Sequence, residues 1–171
     1  MPLELNGTTG VQGNSGAFVA GTAVASTSGT SIDFTSIPSW VKRVTVMYSG
    51  ISTNGSSQVM VQLGTSSGVT SSGYLGSASW YASTASNFSS GFLLADTSSA
   101  AAGYVRHGTM TINLLGSNNW CETGIIGNSN NALNFFSAGS VPLAAALDRV
   151  RITTVNGTDT FDAGSINILY E

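Results

Sequence analysis

Charged side chains are scarce in this chain. Lys and Arg number five and Asp and Glu eight, so charged residues make up 8% of the 171 positions and the formal net charge is −3. A protein that binds nucleic acid through its surface carries a basic patch, and so few cations exclude that class. Charge-driven disorder is excluded as well, because 42% of the residues are hydrophobic.

Cysteine and histidine occur once each, as Cys121 and His107. One cysteine excludes an intrachain disulfide framework and every multi-cysteine metal site. One histidine leaves little material for acid–base chemistry, and we expect His107 to be an exposed or hydrogen-bonded structural residue. We therefore expect no cofactor and no metal ion, and the chain is predicted not to be an enzyme.

Long hydrophobic runs are missing too. The longest covers residues 141–147 and contains a proline, which is far short of the ~20 residues that cross a bilayer as a helix. Residues 17–25 are superficially similar to a secretory signal peptide, but no Lys or Arg occurs before Lys42. We expect neither membrane insertion nor secretion by this route.

Hydroxyl and amide groups carry the polarity instead, since Ser, Thr, Gly and Asn account for 80 of the 171 residues. Apolar residues recur with period two, which is typical of β-strands that have one buried face. The clearest runs are residues 40–48, 58–63, 109–115, 147–155 and 165–171.

About ten short strands of this kind predict an all-β protein, an antiparallel and jelly-roll-like β-sandwich over residues 31–171. In the run 58–63 the pattern predicts that Gln58 and Gln62 face solvent. Residues 1–30 are rich in glycine and contain one charge, Glu4. They are predicted to form a low-complexity N-terminal arm, either simply flexible or ordered against another protein as an attachment segment.

Aromatic residues beside Ser- and Asn-rich stretches indicate a ligand site. Trp80 and Tyr81 are adjacent, so in a strand one of the two points outward. Sugar rings stack on Trp and Tyr, and Asn side chains supply neutral hydrogen bonds. We therefore predict a glycan-binding site formed by Trp80, Tyr81, Trp120, Asn118 and Asn119. The alternative is that these rings belong to the sandwich core.

Two short motifs give only weak evidence for catalysis or metal binding. Residues 64–68 match the serine-hydrolase pattern G-x-S-x-G, but that motif needs a following helix, and the match is expected by chance in so Ser-rich a chain. Asp159 and Asp162 share one loop, yet two carboxylates with backbone carbonyls make a poor calcium site. A turn in which the aspartates bond their own backbone is the simpler interpretation.

The segments 37–47 (IPSWVKRVTVM), 50–55 (GISTNG) and 147–168 resemble segments of tailed-bacteriophage tail-fibre and related virion proteins. The resemblance covers about residues 20–63 and 145–171. It implies a C-terminal β-sandwich module, often a homotrimer, that contributes to host-surface recognition. It also implies a place on the surface of the virion after synthesis in the host cytoplasm.

Two functions are consistent with these patterns. One is a tail-fibre or receptor-binding tip that binds host-surface polysaccharide without cleaving it. The other is a capsid decoration protein, a cement or head-fibre protein that stabilises the virion shell. In both cases residues 1–30 would contact other virion proteins, and few charges suit a close-packed symmetric interface.

Overall fold

Strands form where the alternation of apolar and polar residues is clearest. The structure, a computed structural model, describes residues 4–6, 10–12, 18–81, 85–96 and 100–171. The strands of these ranges are β1 Glu4–Asn6, β2 Gly10–Gln12, β3 Val19–Ala20, β4 Val24–Ala25, β5 Ser31–Phe34, β6 Arg43–Thr53, β7 Val59–Thr65, β8 Gly68–Val69, β9 Leu75–Trp80, β10 Ser86–Asn87, β11 Phe92–Leu93, β12 Arg106–Gly116, β13 Asn119–Asn128, β14 Leu133–Pro142, β15 Arg149–Thr154 and β16 Phe161–Tyr170.

Strands β3 to β16 form two antiparallel sheets, and β1 pairs with β2 in a separate two-stranded sheet. The nine-stranded sheet has the order β10-β9-β14-β13-β12-β6-β16-β3, with β4 also paired to β16. The five-stranded sheet has the order β11-β7-β15-β5, with β8 paired to β7. The inward side chains of both sheets belong to one hydrophobic core. The predicted all-β sandwich is thereby confirmed, and the described ranges contain no helix, hence none able to span a membrane.

Strand β6 shows why the pattern was informative. Val44, Val46 and Tyr48 are buried, whereas Thr45 and Met47 between them are half-buried. One side of this strand faces the core and the other faces away from it, so hydrophobicity alternates along the chain. Strand β12 alternates in the same way, and both strands lie close to their predicted positions.

Strand β7 departs from its prediction. Every residue from Val59 to Thr65 is buried, including Gln62, which was expected to face solvent. The Gln62 Nε2 group donates a hydrogen bond of 2.8 Å to the carbonyl oxygen of Ser90. A second layer of chain therefore covers the outward side of β7, and a local pattern carries no information about such a cover.

Residues 18–30, the later part of the predicted arm, lie along the edge of the nine-stranded sheet. The backbone N–H of Gly21 donates to the Ile168 carbonyl at 2.8 Å, and that of Ser26 donates to the Gly164 carbonyl at 2.9 Å. The Ser26 side chain is buried and donates to the Ala163 carbonyl at 2.7 Å. The side chains of residues 1–17 lie outside the described part, so the attachment role of residues 1–30 stays a prediction.

Candidate functional site

Tyr81 is the aromatic residue of the predicted site that solvent reaches. Strand β9 ends at Trp80, which packs against the core, while the following Tyr81 is 96% exposed. Because Trp80 pairs with Phe135 of β14, the next position along places Tyr81 beside Asn134. One ring of the Trp80–Tyr81 pair is therefore available for stacking at this end of the sheet.

Trp120, Asn118 and Asn119 lie at the opposite end of the sheet. Asn118 is in the tight turn between β12 and β13, with a positive φ of 59°, and its carbonyl accepts a hydrogen bond of 2.9 Å from the Leu143 N–H. Strand β13 then runs from Asn119 to Asn128. At ~3.3 Å per residue, roughly 30 Å separates this turn from the Tyr81 end.

The five-residue glycan site is therefore corrected. Trp120 is only 2% exposed and belongs to the core, because it occupies the inward side of β13 together with Glu122 and Ile126. A buried indole offers no face to a ligand. Asn118 and Asn119 are too far from Tyr81 to bind the same small ligand. Of the predicted glycan site, only the Trp80–Tyr81 end therefore presents an exposed aromatic ring.

A pocket of about 470 Å³ opens at the end where Tyr81 lies. We call it the end pocket. It is lined by His107, Gly127, Asn128, Ser129, Ala132, Leu133 and Asn134. The sheet register explains its position, because Asn134 of β14 pairs with Gly127 of β13, which pairs with His107 of β12. Three adjacent strands thus place their ends side by side, with Tyr81 next in the row.

The turn that borders the end pocket is held by hydrogen bonds to the segment before β12. Asn130 accepts a bond of 3.1 Å from the Val105 N–H and donates one of 2.8 Å to the Gly103 carbonyl. Asn131 donates to the Tyr104 hydroxyl at 2.7 Å. These three contacts tie the turn to residues 103–105, so the rim of the end pocket that the turn forms is held in place.

His107 has a structural place in the pocket wall. Its Nδ1 atom accepts a hydrogen bond of 3.1 Å from the Gly50 N–H, which puts the ring proton on Nε2. The Nε2–H group then donates a hydrogen bond of 3.3 Å to the Ser129 hydroxyl oxygen. Both nitrogens are occupied by these neighbours. The imidazole therefore braces the turn.

Gly127 lines the end pocket without a side chain. A Cβ atom at Gly127 would lie 3.3 Å from the Asn134 Oδ1 atom, tighter than ordinary van der Waals contact. The other lining groups are amides, a hydroxyl, an imidazole and the apolar Ala132 and Leu133. This lining suits an uncharged ligand that offers both hydroxyl groups and apolar faces.

Two charged side chains are buried on the inner side of the same strands. Arg106 is cross-strand neighbour to Asn128 and donates a hydrogen bond of 3.3 Å to the Tyr104 carbonyl. Burial lowers the pKa of Arg106 to about 10, with the opposite influence of Tyr104 being smaller. Burial likewise raises the pKa of Glu122 to about 7. The hydrogen bond of 2.7 Å that Glu122 accepts from the Ser137 hydroxyl lowers this pKa, but by less than burial raises it.

The two weak chemical motifs have ordinary structural roles. Ser66 lies in the turn between β7 and β8, so strand–turn–strand replaces the strand–turn–helix that a nucleophilic serine needs. Asp159 accepts hydrogen bonds from the Ser57 N–H and the Asn156 side chain at 2.8 and 2.6 Å. Within the described ranges, no group of three or more His, Cys, Asp or Glu side chains is arranged to hold a metal ion.

Three residues that line the end pocket, Gly127, Leu133 and Asn134, were not predicted from the sequence to belong to a site. Leu133, Asn134 and Gly127 belong to strands whose pairing partner is not visible locally. The available signal was the polar stretch at residues 128–131 between two apolar runs, which is typical of a hairpin loop. No protein-family model matches this chain, and no curated protein matches it.

Proposed function

We propose that the chain is a structural protein of a bacteriophage virion, a tail-fibre or receptor-binding tip module that holds a host-surface glycan without catalysis. The observation that carries this proposal is the exposed Tyr81 ring beside the uncharged end pocket. The resemblance of residues 37–47 and 147–168 to tail-fibre proteins supports the setting.

The end pocket can bind a sugar by two contributions. The apolar face of a pyranose stacks on the Tyr81 ring, while amide and hydroxyl groups such as those of Asn134 and Ser129 exchange neutral hydrogen bonds with its hydroxyls. Together these contributions are worth roughly 4–6 kcal/mol, which corresponds to dissociation constants from about 1 mM to tens of µM. A homotrimer would raise the apparent affinity by linking three such sites.

A capsid decoration protein is the second candidate. The scarcity of charge favours it, because 8% charged residues suit a contact packed closely against a virion shell. Immunogold labelling of virions distinguishes the two candidates. Label at the tail tip supports the receptor-binding module, and label spread over the head supports decoration.

Binding to intact host cells tests the glycan proposal. We expect the fluorescently labelled protein to bind untreated cells, and to bind much less to cells whose glycans have been oxidised with periodate. Tyr81→Ala should reduce binding about tenfold or more, since it removes the stacking face, while Tyr81→Phe should retain it. The melting temperature of both variants should equal that of the wild type, because Tyr81 is almost fully exposed.

Leu75→Ala is the matched control, because Leu75 is also exposed, at 71%, and lies at the other end of the same strand. It should leave binding unchanged. The proposal is refuted if Tyr81→Ala binds like the wild type, or if periodate treatment of the cells has no effect.

A further inference from the structure

Arg106 places a guanidinium group in the interior of the sandwich. It is 1% exposed and lies on the inward side of β12. Its cross-strand neighbours are the fully buried Ile51 of β6 and Asn128 of β13. Burial lowers the pKa of Arg106, but a value of about 10 still leaves the side chain charged at neutral pH. A cation between an isoleucine and an amide is poorly solvated, so it requires a counter-charge.

The Nε and Nη2 groups of this guanidinium are its unused donors. The Nη1 group donates to the Tyr104 carbonyl oxygen at 3.3 Å. In the part of the chain that the structure describes, Nε and Nη2 have no hydrogen-bond partner, although both are buried. These two groups form one edge of the planar guanidinium and present two N–H bonds side by side. With such an edge arginine binds carboxylates and other anions.

Asn128 provides a further donor next to Arg106. Its side chain is buried, and neither Nδ2 nor Oδ1 has a hydrogen-bond partner among the described residues. An amide can direct its NH₂ group at an anion while its oxygen accepts a hydrogen bond from water. Asn128 also lines the end pocket. It therefore connects Arg106 to an opening at this end of the sheet.

The counter-charge of Arg106 does not come from the protein groups that the structure describes around it. The ion pairs of the described ranges use the other arginines, Arg43, Arg149 and Arg151. Glu122 is on the same side of β13 but six residues from Asn128, which is roughly 20 Å along the strand. The Tyr104 ring, with its centroid 5.9 Å from the Arg106 Cζ atom, contributes a cation–π contact but no negative charge.

We propose that Arg106 and Asn128 bind a small monovalent anion, a halide or a small carboxylate, on the inner side of the sheet behind the end pocket. The Nε and Nη2 groups of Arg106 donate two hydrogen bonds to it, and Nδ2 of Asn128 donates a third. The anion must be small, because the atoms that bind it are buried. A single charge is sufficient, since Arg106 supplies a single positive charge. This proposal does not depend on glycan binding at Tyr81.

The melting temperature of the full chain tests the proposal when chloride replaces gluconate at constant ionic strength. Gluconate is a monovalent anion that is too large for a buried site. We expect the melting temperature of the wild type to rise by roughly 3–5 °C for each tenfold increase in chloride above the dissociation constant, because the anion binds only the folded chain. The same titration with formate shows whether a halide or a carboxylate binds more tightly.

Arg106→Gln should abolish this dependence, because it removes the charge and the paired N–H donors. Arg43→Gln is the matched control, since it removes one arginine from an ion pair with Glu171 near the surface. It should respond to chloride like the wild type. Asn128→Leu keeps the shape of the side chain without its donor, and it should weaken chloride binding several-fold. This variant provides the test if Arg106→Gln fails to fold.

A crystal of the wild type grown in bromide gives a direct measurement that needs no substitution. We expect an anomalous-scattering peak in contact with Nε and Nη2 of Arg106. Three results would overturn the proposal. The first is a wild-type melting temperature that is the same in chloride, formate and gluconate. The second is a folded Arg106→Gln variant that responds to chloride as the wild type does. The third is a bromide crystal in which water or the Asn128 side chain occupies this edge of Arg106.

Discussion

Replacing Glu122 by Gln should stabilise the protein at neutral pH. Glu122 faces the interior of the sandwich and is buried, and its carboxylate accepts one hydrogen bond from Ser137. Its second oxygen has no hydrogen-bond partner in the part of the chain that the structure describes. An ionised carboxylate in such a place is poorly solvated, and a neutral amide of the same shape can still accept the Ser137 bond.

The magnitude follows from the pKa of Glu122, which burial raises from the ordinary value of 4.5 to about 7. A carboxyl group with a higher pKa in the folded chain binds its proton more tightly there than in the unfolded chain. Its contribution to stability is therefore complete below pH 4.5 and is lost as the pH rises to about 7. At 1.36 kcal/mol per pH unit, the loss is about 3 kcal/mol.

Urea unfolding at pH 4.5 and pH 8 measures this difference. We expect Glu122→Gln to exceed the wild type by about 3 kcal/mol in unfolding free energy at pH 8, and to differ little at pH 4.5. Glu171→Gln is the control, because it also removes one carboxylate but from an ion pair with Arg43 near the surface. It should lower stability by less than about 1 kcal/mol at pH 8. Equal effects of Glu122→Gln at the two pH values would refute the reasoning.

Two further substitutions test the packing. Trp120→Ala should reduce the unfolding free energy by about 3–5 kcal/mol, measured by urea unfolding, because it empties a core position; a change below 1 kcal/mol would contradict its burial. Gly108→Ala should lower the melting temperature much more than Gly116→Ala, although the two glycines have nearly equal φ angles of 143° and 144°. A Cβ at Gly108 would overlap the Ile125 carbonyl, whereas the one at Gly116 meets nothing within 4 Å; equal melting temperatures would contradict this.

The fold was predictable from the sequence where a strand has one covered side. Strand β6 alternates between buried and partly exposed residues, so its inward face could be read from Val44, Val46 and Tyr48. The alternation of inward and outward residues was harder to recognise in strand β13, because its inward positions include the charged Glu122 as well as Trp120. A buried carboxylate looks like a solvent-facing residue in the sequence, and this hid the inward orientation of Trp120.

The candidate site was less predictable because it depends on pairing between distant segments. Tyr81 lies near Asn134 only because β9 pairs with β14, and Asn134 lies near His107 only through β13. Local patterns indicate that a strand exists but not which strand is beside it. The hydroxyl- and amide-rich composition predicted the chemical character of the end pocket, and the sheet order decided its position.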